Sequence, residues 1–92
     1  MSLHRIRVSP LVKGSTTGDG LVLLDVRGGV VLASNAVGAR IWRLIEAEQD
    51  TSEIARSIAN EFEVDLERAR RDVDAFVAAL RARGIVAGED PC

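Results

Sequence analysis

Leu24–Ser34 reads LDVRGGVVLAS, two short apolar runs on either side of Gly28-Gly29. Adjacent glycines supply the positive φ angles that a tight reversal needs, so the segment predicts a β-hairpin rather than one long element. Whether the loop is Arg27-Gly28 or Gly28-Gly29, the parity is the same and places Val22 and Leu24 on one face with Val31 and Ala33. The second run, Val30-Val31-Leu32-Ala33, has no charge, no proline and no polar side chain. Charges, prolines and bulges are what normally protect a strand at a sheet edge, and the sequence predicts none of them here.

Outward from the hairpin, Leu3 to Ser9 alternates, with His4, Ile6 and Val8 on one face and Arg5 and Arg7 on the other, the period of a half-buried strand that Pro10 ends. Lys13 to Gly20, rich in Gly, Ser and Thr, reads as a loop, and Leu21 to Val26 as the strand before the turn. After the hairpin, Ser34 or Asn35 offers an N-cap for a helix over Ala36 to Glu48 that buries Val37, Ile41, Leu44 and Ile45, with Trp42 beside them. Gly38 inside that helix costs up to about 1 kcal/mol relative to alanine, which predicts close packing of its turn against something. A second helix starts at Asp50 or Thr51, with Glu53 placed for a capping box and Ile54, Ile58 and Phe62 inward. A third starts at Asp65 and carries Leu66, Ala69, Val73, Val77 and Leu80 at three- and four-residue steps. Gly84 stops it, with Ile85 able to fold back on Leu80.

The fold class these elements predict is α+β and winged helix-turn-helix-like: a three-stranded antiparallel sheet, with Leu3 to Ser9 as one strand, followed by three helices. A three-helix bundle with a detached hairpin is the alternative, disfavoured because a lone hairpin is marginal in water. A chain of 92 residues makes one domain, expected over residues 1–88 with a loose tail at 89–92.

Composition narrows the function. The chain is 47% apolar and has neither a stretch long enough to span a bilayer nor the apolar run of a signal peptide, so a cytoplasmic protein off the membrane is expected. The single cysteine, Cys92, ends the chain, and the single histidine, His4, has no metal-ligating neighbours at useful spacing. Gly18, Gly20, Gly28 and Gly29 do not form a phosphate-cradling motif. These absences argue against an enzyme and against a metal or cofactor. Residues 1–43 carry six basic and two acidic side chains, a balance of +4, whereas residues 44–92 carry six basic and twelve acidic, a balance of −6. The pI of 5.3 disfavours tight binding to a phosphate backbone. A winged-helix DNA-binding reading rests on Arg68, Arg70, Arg71, Arg81 and Arg83, but Asp65, Glu67, Asp72 and Asp74 offset them.

The bare strand Val30–Ala33 then has three readings: a helix covers it, a second copy pairs with it, or another peptide adds to it as a strand. The third helix bears on the choice. One side of its core stripe is polar, with Glu67, Arg70, Asp74 and Arg81, while on the other Phe76 and Ala79 widen the apolar surface between Asp72 and Arg83. Phe76 serves equally well as ordinary core. A bare strand and a widened helix flank are the two walls that a strand-binding groove needs.

These segments resemble the PqqD-like family. Gly20–Trp42, GLVLLDVRGGVVLASNAVGARIW, is similar to its pattern of Leu-Leu-Asp, a glycine turn and then L-x-N-x-x-G-x-x-I-W. Ala69–Val86, ARRDVDAFVAALRARGIV, is similar to its ending D-V-x-x-F-x-x-x-L-x-x-x-G-L. Ser34 departs from the pattern, so the strand-to-helix junction is expected to be one residue longer. The resemblance implies a RiPP recognition element, a non-catalytic winged-helix-like domain that binds the leader of a ribosomally made precursor as a strand added to its third β-strand and resting on its third helix. Carried onto this chain, the implied contacts are Val30, Val31, Leu32 and Ala33 on the strand and Ala69, Asp72, Phe76, Ala79 and Arg83 on the helix. The signature looks most like stand-alone recognition proteins of lasso-peptide pathways and less like those of pyrroloquinoline quinone pathways. The implied partners are a precursor peptide, a leader peptidase of cysteine-protease type and an ATP-dependent macrocyclase, with no nucleic acid.

Overall fold

A computed structural model describes residues 6–17, 19–27 and 29–88. In chain order its elements are β1 (Ile6–Val8), β2 (Val12–Thr17), β3 (Gly20–Asp25), β4 (Gly29–Asn35), α1 (Ala36–Glu46), α2 (Thr51–Phe62), α3 (Leu66–Ala82) and β5 (Val86–Gly88). His4, Gly18, Gly28, Cys92 and the expected tail at 89–92 lie outside the described residues. The strands β2, β3 and β4 form an antiparallel meander and the three helices follow, the α+β arrangement expected.

The sheet is built from different strands than the sequence suggested. The stretch read as a loop, Lys13 to Gly20, is mostly strand β2, in register with β3 from Val12↔Asp25 to Thr17↔Gly20. Its composition hides an alternation. Val12 is buried, Lys13 and Ser15 point away from the helices, and Gly14 lies over the indole of Trp42, where an added methyl would collide with Nε1. Gly14 is thus a packing position inside a strand rather than a breaker. The described part of the predicted first strand, β1, pairs instead with β5 in a separate two-stranded sheet, from Ile6↔Gly88 to Val8↔Val86. That pairing is between the two ends of the chain, so no local pattern announces it.

Each helix starts where its cap predicts. Asn35 Oδ1 accepts from Gly38 N–H at 3.0 Å for α1. Asp50 and Glu53 form a reciprocal capping box on α2, and Asp65 accepts from Arg68 N–H at 2.9 Å on α3. The strand-to-helix junction is not lengthened, because Asn35 ends β4 and caps α1 at once. α3 closes with Ile85 N–H donating to Leu80 O at 2.9 Å while Gly84 takes φ +70°. Two apolar residues expected inside, Phe62 and Leu66, are exposed at the α2–α3 turn. The helices bury their stripes against Leu21 and Leu23 of the sheet, with Trp42, Ile41, Ile54, Ile58, Val73 and Leu80 at the centre. Arg40 on α1 and Glu61 on α2 form a two-pronged ion pair at 2.8 and 2.9 Å that ties these helices together at the surface.

Candidate functional site

β4 pairs with β3 on one side, and among the described residues no strand pairs with it on the other. The register determines which main-chain groups are free. Val26 N–H donates to Leu11 O at 2.9 Å, so the even-numbered residues of β3 bond toward β2 and the odd-numbered ones bond toward β4. Leu21↔Ser34 and Leu23↔Leu32 are then the bonded pairs, and Ala33, opposite Val22, turns its N–H and C=O outward. Ala33 is exposed, as is Val30, which retains 65% of its surface. Val31 and Leu32 are half-buried, and Leu32 packs on the core.

The edge is not wholly undefended. The register slips between Leu23 and Leu24, so that Leu23 faces Leu32 while Leu24 faces Val30, leaving Val31 as the extra residue of a β-bulge. The expectation of a regular strand without a bulge, with Val31 sharing a face with Val22 and Leu24, is corrected accordingly. A bulge is a property of register and turn geometry, and an unbroken apolar run carries no mark of it. Regular edge geometry is confined to the half from Leu32 onward. The turn is clamped at its start by Asp25, whose carboxylate accepts from Arg27 N–H at 2.8 Å and pairs with the Arg27 guanidinium at 2.9 Å. The hydrogen-bonded guanidinium holds the Asp25 carboxyl down at about 2.

α3 supplies the second wall at one point. Phe76 is half-buried, packed against the core, and its Cε1 would stand 3.1 Å from a Cβ built on Gly38. The same Cβ would collide with Ser34 Oγ. Ser34 at the end of β4, Gly38 in the first turn of α1 and Phe76 in mid-α3 therefore converge, which is the close packing that the mid-helix glycine predicted. Ala79 is half-buried and Asp72 and Arg83 are exposed on the same side of α3. Asp72 lies 4.0 Å from Arg68, an exposed pair one helical turn apart that contributes little. Ala69 is different: it retains 0% of its surface, so it is core and offers nothing to a partner. Of the predicted helix residues, Phe76 is thus placed beside the end of β4, and Ser34, which the sequence reading did not single out, lies next to it.

Elsewhere, a concavity of about 600 Å³ lies between β1 and the end of α1, lined by Ile6, Arg7, Val8, Ile45, Glu46 and Glu48. It includes none of the predicted site residues. Among the described residues there is no group of three or more His, Cys, Asp or Glu that could hold a metal ion, and no helix long and apolar enough to cross a membrane.

Residues 20–86 match the family described as coenzyme PQQ synthesis protein D (PqqD). Among solved structures, TbiB1 in complex with the TbiA(beta) leader peptide is similar with a TM-score of 0.80 and 32% identity, over 91% of this chain and 98% of that one. Lasso peptide synthetase B1 complexed with the leader peptide is similar with a TM-score of 0.78 and 29% identity, over 89% of this chain and 96% of that one. No curated protein matches the sequence.

Proposed function

The chain belongs to the PqqD family, and from that premise we propose that it is a RiPP recognition element of a lasso-peptide pathway, binding the leader of a ribosomally synthesised precursor as a strand added to the outer edge of β4. The single observation that carries the proposal is Ala33, whose main-chain N–H and C=O face outward from an exposed, uncharged edge beside the Ser34–Gly38–Phe76 convergence. Strand addition takes its affinity from such main-chain groups and its selectivity from the side chains that flank them. Two similar proteins of known structure are complexes with leader peptides, which supports the same ligand class here.

In this reading the peptide lies along Val30, Val31, Leu32 and Ala33 of β4, with Ala33 supplying the outward main-chain groups past the bulge, and Phe76 and Ala79 form the apolar wall, with Asp72 and Arg83 at its rim. Residues 1–88 act as the recognition element. The domain does no chemistry of its own and uses no cofactor. It presents the leader-bound precursor to a leader peptidase of cysteine-protease type and to an ATP-dependent macrocyclase. The test is to select binders from a displayed library of random peptides and titrate them into the isotope-labelled chain. Shifts of the Ala33 and Ser34 amides are expected, and binders that move only amides remote from β4 would sink the site.

A further inference from the structure

A strand added to β4 has two faces. One looks toward Phe76, and the other joins the side of the sheet that the helices leave open. That open side is apolar next to the edge: Val22 keeps 37% of its surface and Leu24 38%, each directly opposite a residue of β4, Ala33 and Val30 respectively. Single exposed apolar side chains are ordinary, but two directly opposed pairs at an unpaired edge form a continuous shelf.

We propose that Ala33 and Val22 form a second side-chain subsite on this open face, which takes a large apolar side chain of the bound peptide; the proposal rests on the strand-addition reading. The peptide residue hydrogen-bonded to Ala33 stands directly beside it and points to the same face. Ala33 projects a single methyl, so nothing tall separates that peptide residue from Val22 on the next strand. The gap is two strand spacings, about 10 Å. A Met, Phe or Trp side chain can lie across Ala33 and touch Val22, whereas Ala, Ser, Val and Leu are too short. Leu24 and Val30 form a ridge along one side that holds such a side chain in place. The occupant is therefore an extended peptide with two successive apolar residues, one turned inward to Phe76 and the next lying outward over Ala33. It departs there from the strict alternation of a strand with one wet face.

The test repeats the peptide selection on the full chain and on two variants of the open face. Val22→Thr keeps shape and strand preference but removes a methyl, and Ala33→Val fills the shelf while leaving the main-chain edge in place. Wild-type binders should carry Met, Phe or Trp at the position that pairs with Ala33. Val22→Thr should weaken those binders about fivefold. Ala33→Val should switch that one position to small residues and leave the preference at the inward position unchanged. Binders that shift the Ala33 amide but show no size preference there would overturn the subsite and leave strand addition standing. An absence of binders, or binders that leave the Ala33 amide unmoved, would overturn both. A concentration-dependent dimer that Val22→Thr dissolves would assign the shelf to a second copy instead and also overturn the subsite.

Discussion

Replacing Ala33 with proline deletes an N–H that β3 does not use, whereas replacing Leu32 deletes one that it does. Both residues sit in β4 one position apart, and the register alone predicts opposite outcomes. Leu32→Pro breaks the bonded pair with Leu23, a fully buried residue, and strands its carbonyl at about 1–3 kcal/mol. It also withdraws the Leu32 side chain from the core, adding about 1–2 kcal/mol for a half-buried aliphatic group. The sum, about 2–5 kcal/mol, is a large share of the roughly 5–10 kcal/mol that stabilises a domain of this size. Ala33→Pro leaves the β3–β4 ladder intact, because an outward N–H on an edge strand is where proline is tolerated. Its cost to folding should stay near or below about 1 kcal/mol. Its cost to binding should exceed tenfold, since a main-chain bond to the peptide is lost and the ring occupies the pairing side. Denaturant melts of both variants and titrations with a selected peptide separate the two effects. An Ala33→Pro protein that unfolds as easily as Leu32→Pro, or that binds as well as wild type, would refute the register argument.

Further outcomes follow from the same contacts. Phe76→Ala should weaken peptide binding at least tenfold and cost about 2–3 kcal/mol in a melt, less than a fully buried phenylalanine because the ring is half-buried. Restoring the ring's bulk with Phe76→Leu should recover most of the stability and only part of the binding. Gly14→Ala should cost about 1–3 kcal/mol by forcing Trp42 aside, read as a lower Tm together with a shift in Trp42 fluorescence. The Asp25 carboxyl, held down at about 2, should contribute fully to the turn above the unfolded value near 4 and lose its contribution as pH falls toward 2. Its side-chain resonance should titrate well below the ordinary Asp range, and an Arg27→Ala variant should return it there.

The helices were legible because their signals are local. Asn35, Asp50 with Glu53, Asp65 and Gly84 each do their work within four residues of where they stand, and each marks the boundary that the structure has. β2 was hidden because its inward positions are Val12, Gly14 and Thr16, of which only the first is hydrophobic; the space that a side chain would fill at Gly14 belongs to Trp42. The β1–β5 pair joins opposite ends of the chain, a relation that periodicity does not encode. At the candidate site, the uncharged run Val30–Ala33 and the Phe76 flank were readable from composition and the helical wheel. The bulge at Val31 was not, because it arises from register. On a wheel Ala69 lies where the core stripe meets the flank, and packing alone shows that it belongs wholly to the core.

Hydrogen exchange at a single amide tests the central claim most directly. In the free protein the Ala33 N–H faces outward and should exchange quickly, while the Leu32 N–H, bonded within the sheet, should exchange slowly. Saturation with a selected peptide should slow Ala33 at least tenfold and change Leu32 far less. Unchanged exchange at Ala33, with new protection appearing instead around Ile6–Val8 and Ile45, would move the peptide to the concavity beside β1 and contradict strand addition at β4.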